Sequence, residues 1–119
     1  MDNTVNKLIG EIRNIALSGQ QDGAFGQEFI LWQNIGTFLA VYAEDMGVYG
    51  QYTYLLYKCS DGAEYNRSII MDPLLETENF RCLFEYKEYH GQQELIRFVD
   101  EEQWIDEFEE LVKEMVSEN

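Results

Sequence analysis

The chain has 119 residues, 45% of them hydrophobic and 14% aromatic, and its 23 acidic residues against 8 basic ones leave a net charge of −15. Leu, Ile, Val and Phe together number 33, more than an acidic disordered tail carries, and the length suits one packed domain. Binding to DNA, RNA or an anionic bilayer draws on positive charge, so this balance argues against all three as direct partners.

The opening residues, MDNTVNKLIGEIRN, lack the basic region, apolar run and small-residue cleavage site of a signal peptide. The longest uncharged stretch, 29–43, contains Gln33, Asn34, Gly36 and Thr37 and falls short of the roughly 20 apolar residues of a membrane span. Cys59 and Cys82 are too few for a secreted disulfide scaffold. The expected location is the cytoplasm, with reduced thiols.

Residues 3–18 read as a helix, with Val5, Leu8, Ile9, Ile12, Ile15 and Ala16 on one stripe. Residues 19–26, with three glycines, read as a loop. From 27 to 99 the density of Tyr, Phe, Val, Ile and Thr predicts strands at 27–33, 36–43, 51–59, 64–71, 80–89 and 94–99. The intervening turns fall at Asn34 to Gly36, Gly47 to Gly50, Ser60 to Gly62 and His90 to Gln92. Alternation in 80–89 places Phe80, Cys82, Phe84 and Tyr86 on one face and Arg81, Glu85 and Lys87 on the other. Pro73 marks a crossing loop or short helix within 72–78. Residues 100–117 read as a second helix, opened by an Asp100–Gln103 capping box and buried through Trp104, Ile105, Phe108, Leu111, Val112 and Met115. The expected fold is α+β: one domain with an N-terminal helix, an antiparallel β-meander of about five or six strands, and a C-terminal acidic amphipathic helix.

The acids are unevenly placed. Residues 1–58 hold six acids and three bases, whereas 59–119 hold seventeen acids and five bases. On the second helix, Glu102, Asp106 and Glu109 form one ridge and Glu107, Glu110 and Glu114 the next, both expected to face away from the apolar stripe. Asp100, Glu101 and Glu102 sit at the positive end of the helix dipole. Carboxylates one turn apart lie roughly 5–6 Å from each other, near the phosphate repeat of a nucleic-acid strand. A basic groove built for phosphates accepts such a face, with counterion release and faster encounter. A carboxylate-rich helix face also serves solubility alone.

Eight tyrosines add interface chemistry, and Tyr49 and Tyr52 flank Gly50 in a turn, which makes them the expected exposed pair. The expected partner-binding set is therefore Asp100, Glu101, Glu102, Asp106, Glu107, Glu109, Glu110, Glu114, Tyr49 and Tyr52. His90, the single histidine, falls on a turn, and Cys82 falls on a core face, so they form no nucleophile pair. Two cysteines and one histidine without paired spacing point to no metal site and no cofactor. No carboxylate pair stands out for catalysis.

Two stretches, Asn6-Lys-Leu-Ile-Gly-Glu-Ile-Arg-Asn14 and Asp100-Glu-Glu-Gln-Trp-Ile-Asp-Glu-Phe108, are 18 of the 119 residues. The first resembles the opening helix, and the second the acidic C-terminal helical segment, of a small phage-encoded anti-CRISPR family. That family inhibits a type II CRISPR nuclease. The resemblance implies a helix, a small antiparallel sheet and further helices, although the central sheet here is longer. It also implies a nucleic-acid mimic that occupies a basic DNA-binding site through Asp100, Glu101, Glu102, Asp106 and Glu107. The expected function is a non-enzymatic inhibitor whose partner is a basic nucleic-acid-binding or nuclease protein in a bacterial or phage-infected cell. One alternative is an immunity protein that neutralises a cognate toxin such as a nuclease. Another is a small ligand-binding domain or enzyme whose acidity serves only solubility. A homodimer is a further assembly open to the chain.

Overall fold

The computed structural model describes residues 3–25, 28–45, 50–60, 63–65, 79–99 and 102–117. Helix α1 (Asn3–Leu17) leads into strands β1 (Gln20–Phe25), β2 (Glu28–Ile35), β3 (Phe38–Asp45) and β4 (Gln51–Cys59). Strands β5 (Phe80–Tyr89) and β6 (Gln92–Phe98) follow, and helix α2 (Glu102–Ser117) closes the order. The six strands form one antiparallel sheet in chain order, β1 to β6. This is the expected α+β meander between two helices.

Local chemistry sets the corners. The Ser18 hydroxyl donates to the Ile15 carbonyl at 2.8 Å, and the Gly19 amide donates to Ala16 at 3.1 Å, so α1 stops there. A Cβ on Gly19 would lie 2.2 Å from the Trp32 carbonyl oxygen, which only glycine avoids. Gly36 and Thr37 form the two-residue β2–β3 turn, with Gly36 at φ +59°. The β5–β6 turn has positive φ at both His90 (51°) and Gly91 (75°), the backbone that matches the twist of a hairpin.

Several boundaries differ from the sequence reading. The expected loop at 19–26 contains strand β1, in which Gln20, Gln21 and Asp22 pair with Trp32, Leu31 and Ile30. Pairing to β2 overrides the weak strand preference of these polar residues and glycine. β3 starts at Phe38 rather than Gly36, because Gly36 is committed to the turn. β6 starts two residues early, at Gln92, immediately after its turn. In the expected strand at 64–71, Glu64 and Tyr65 are not strand. The rest of that segment, and 72–78, lie outside the described residues. β4 instead pairs directly with β5: Cys59 faces Phe80, and the Ser60 amide donates to the Asn79 carbonyl at 2.9 Å.

Both faces of the sheet are apolar. On one, α1 buries Val5, Leu8, Ile12 and Ile15, and α2 buries Trp104 and Phe108, against Phe38, Ala40, Leu56 and Phe84. Phe108 meets Phe38 edge-on with ring centroids 5.4 Å apart, and Trp104 leans on Phe98 at 6.1 Å. The Trp104 indole N–H donates to the Val99 carbonyl and so ties α2 to the end of β6. The opposite face buries Ile30, Leu39, Val41, Leu55, Tyr57, Cys59, Phe80 and Cys82, with Trp32, Ala63 and Tyr65 packed on it.

The two-sided core corrects the face assignment in β5. Leu56 pairs with Phe84, but Tyr57 pairs with Cys82. Leu83 is thus an extra residue, and the strand changes phase at this bulge. Phe80 and Cys82 face away from the helices, whereas Leu83, Phe84 and Tyr86 face them. Glu85, expected on the face opposite Phe84 and Tyr86, is buried on the side away from the helices, with Lys87 Nζ 3.9 Å from its carboxylate. Burial raises its pKa, and Lys87 and Arg97 counter part of that rise.

Candidate functional site

Helix α2 carries the expected acidic set, and packing divides it. Trp104 and Phe108 anchor one side in the core, which turns Asp106, Glu107, Glu110 and Glu114 toward solvent. Asp106, Glu110 and Glu114 follow one another at single-turn steps, about 6 Å of rise each. Glu107 lies beside that row and is held at 2.9 Å by Lys58 Nζ. Lys58 also donates to the Thr37 hydroxyl at 2.6 Å and sits 4.3 Å above the Phe38 ring. Lys113 stands 3.8 Å from Glu110, one turn away on the same helix, with both side chains more than 70% exposed. Such an exposed pair contributes little, so Glu110 keeps most of its field.

Glu109 corrects the expectation that both acidic ridges face outward. Its side chain is only 19% exposed and lies 3.4 Å from Lys7 of α1. Beside it is Glu11, whose two carboxylate oxygens are sealed from solvent and accept no hydrogen bond among the described residues. Burial first, then the adjacent Glu109 carboxyl, push Glu11 up to about 7, with Lys7 acting in the opposite sense. A protonated Glu11 shares its proton with Glu109 and removes the repulsion between the two acids. Glu109 therefore belongs to the seam between the helices. The sequence hinted at this only through its place at the border of the apolar stripe.

Asp100, Glu101 and Tyr49 lie outside the described residues, and Glu102 opens α2. The structure does not bring Tyr52 to the acidic row. Tyr52 is half-buried, with its ring 6.1 Å from that of Tyr42, in a cross-strand row with Glu44 and Glu88. It lies six residues, about 20 Å of strand, from Lys58, where α2 crosses. The next row holds Tyr42, Tyr54 and Tyr86, all buried against the helix-covered core. Burial raises the pKa of each hydroxyl, and Tyr42 donates to Glu44 at 3.3 Å.

Cys59 and Cys82 are buried thiols outside any disulfide, and burial pushes the Cys59 thiol up to about 11, far from a reactive thiolate. His90 is exposed on its turn, its ring T-shaped to that of Tyr89. Among the described residues no group of three or more His, Cys, Asp or Glu is placed to hold a metal ion, and no helix is long and apolar enough to cross a membrane. An open cleft on the sheet face away from the helices is lined by Trp32, Asn34, Ala63, Glu64 and Tyr65. There the Trp32 and Tyr65 rings stack on each other at 4.5 Å. Compared with family models, curated proteins and solved structures, the chain has no match.

Proposed function

We propose that this protein is a non-enzymatic inhibitor that works in the cytoplasm of a bacterial or phage-infected cell. It lays the outer face of α2 into the basic nucleic-acid groove of a defence or DNA-processing protein, in the manner of a DNA-mimicking anti-CRISPR. The observation behind this reading is the exposed row Asp106, Glu110 and Glu114, with Glu107 alongside, on a helix pinned by Trp104 and Phe108. A pinned helix loses little conformational freedom on docking, so its charges act at small entropic cost. Displacing counterions from a basic groove supplies the driving force, and the net charge of −15 speeds encounter. Glu107 exchanges Lys58 for a cation of the partner, whereas Glu109 stays in the helix seam.

The test is capture from bacterial lysate on the immobilised protein at low salt. A folded acidic protein of equal net charge is the control, and elution is by duplex DNA. A nucleic-acid-binding protein retained only by this chain, released by DNA, and lost with the triple variant D106K/E110K/E114K is the expected result. A retained set identical to that of the control overturns the reading.

A further inference from the structure

Among the described residues, strand β6 ends the sheet, with β5 as its one hydrogen-bonded neighbour, and residues 92–96 are all exposed. Leu95 and Ile96 are 40% and 42% exposed and adjacent in the chain. An uncovered edge with apolar side chains is a template for another strand. Its charge also differs from that of the molecule. Glu85, Lys87, Glu94 and Arg97 stand together there, two of each sign, in a chain of net charge −15.

The register adds a second feature. Lys87 pairs with Glu94 and Glu85 pairs with Arg97, with a shift of one residue between those pairs. Three residues apart, positions 94 and 97 of a regular strand would point to opposite faces. The extra residue puts both on one face, with Glu85 and Lys87. We propose that β6 pairs antiparallel with β6 of a second copy of this chain, about a twofold axis passing between Leu95 and Ile96.

That axis sets Glu94 opposite Arg97 of the second copy, and Arg97 opposite its Glu94, with Leu95 and Ile96 meeting between the two ion pairs. A twofold normal to the sheet keeps every side chain on its own face, so opposed residues must share a face. A regular strand forbids the 94–97 pairing under this symmetry, and the bulge permits it. Bulges and charges commonly keep edges apart. Here the bulge makes the charges complementary to their own symmetry mates, as an isologous contact requires. The locally neutral edge is also where two strongly acidic molecules approach with least repulsion. One strand pair is a small interface, so the dimer is weak, on the order of micromolar.

Sedimentation velocity on the whole chain, from about 1 μM to about 1 mM, spans that range. Wild-type protein is expected to pass from monomer to dimer. E94K sets Lys against Arg97 twice per dimer and loosens it by about tenfold or more, and R97E does the same with two acids. The exchange E94K/R97E reverses both pairs and restores the wild-type dimer. L95E is a second disruption should either single variant lose its circular-dichroism signal. A wild-type monomer at the highest concentration overturns the proposal. So does a folded E94K that dimerises as tightly as wild type, or a folded exchange variant that stays monomeric.

Discussion

Helices α1 and α2 lie on the same face of one sheet and each buries an apolar stripe, yet their outer faces differ in charge. α1 turns Lys7 and Arg13 outward, whereas α2 turns Asp106, Glu107, Glu110 and Glu114 outward beside Lys113. Packing asks the same of both: Leu8 and Ile12 on one, Trp104 and Phe108 on the other, all 5% exposed or less. Burial therefore constrains the inner residues and leaves the outer charge free. The exposed acids of α2 lie where stability does not need them, which is the usual place for a binding surface or a solubility device. Where the helices touch, the rule changes, and Glu11 and Glu109 are held by packing rather than by solvent.

The comparison breaks most visibly at its anchors. Phe108→Ala and Leu8→Ala each leave a void in the shared core and are expected to lower stability by about 3–4 kcal/mol in urea unfolding. A loss confined to one helix would mean that the two do not share a core.

The seam between them has a pH signature. The folded Glu11 carboxyl has a pKa raised to about 7 from 4.5. Between those values the unfolded chain releases a proton that the folded chain keeps, so Glu11's contribution, full below pH 4.5, is lost as pH rises to 7. Glu11→Gln is expected to flatten that fall. At pH 8 it should stabilise by about 1–2 kcal/mol, after discounting the shift for the solvent at the rim of the seam. Near pH 4 it should match wild type. Parallel curves for the two proteins would place Glu11 in solvent.

Smaller effects sharpen the contrast between inner and outer residues. Lys58→Ala frees Glu107, half-exposed at 51%, and is expected to cost about 0.2–1 kcal/mol. Reversal of Asp106, Glu110 or Glu114 to Lys should change stability by no more than about 0.5 kcal/mol each, while lowering affinity for a basic partner and its salt dependence. A variant that unfolds would show that the outer acids serve the fold.

Periodicity made much of this architecture legible. The stripes of both helices stand at three- and four-residue steps, and 51–59 and 80–89 occupy the lengths expected of β4 and β5. The His90-Gly91 turn was readable because glycine beside a residue tolerant of positive φ is a hairpin signal. Strand β1 was not readable, since its polar residues are strand only by virtue of their partner. The faces of β5 were not readable either, because Leu83 shifts the phase without changing the composition. In the acidic helix, the exposure of Asp106, Glu107, Glu110 and Glu114 followed from helical geometry. The inward turn of Glu109 did not, because it depends on Lys7 and Glu11, about a hundred residues away in the chain.

The sequence by itself determined the net charge, its concentration toward the C-terminus, the two amphipathic helices and the antiparallel class of the sheet. These rest on composition and short-range periodicity, which each segment carries alone. Tertiary structure alone decided which carboxylates stay exposed, that both faces of the sheet are buried, and that Tyr52 stands far from the acidic row. It also decided that β6 lies at an uncovered edge with Glu94 and Arg97 on one face. Each of these depends on register and on contacts between distant segments, where one extra residue in a strand reverses the direction of every side chain beyond it.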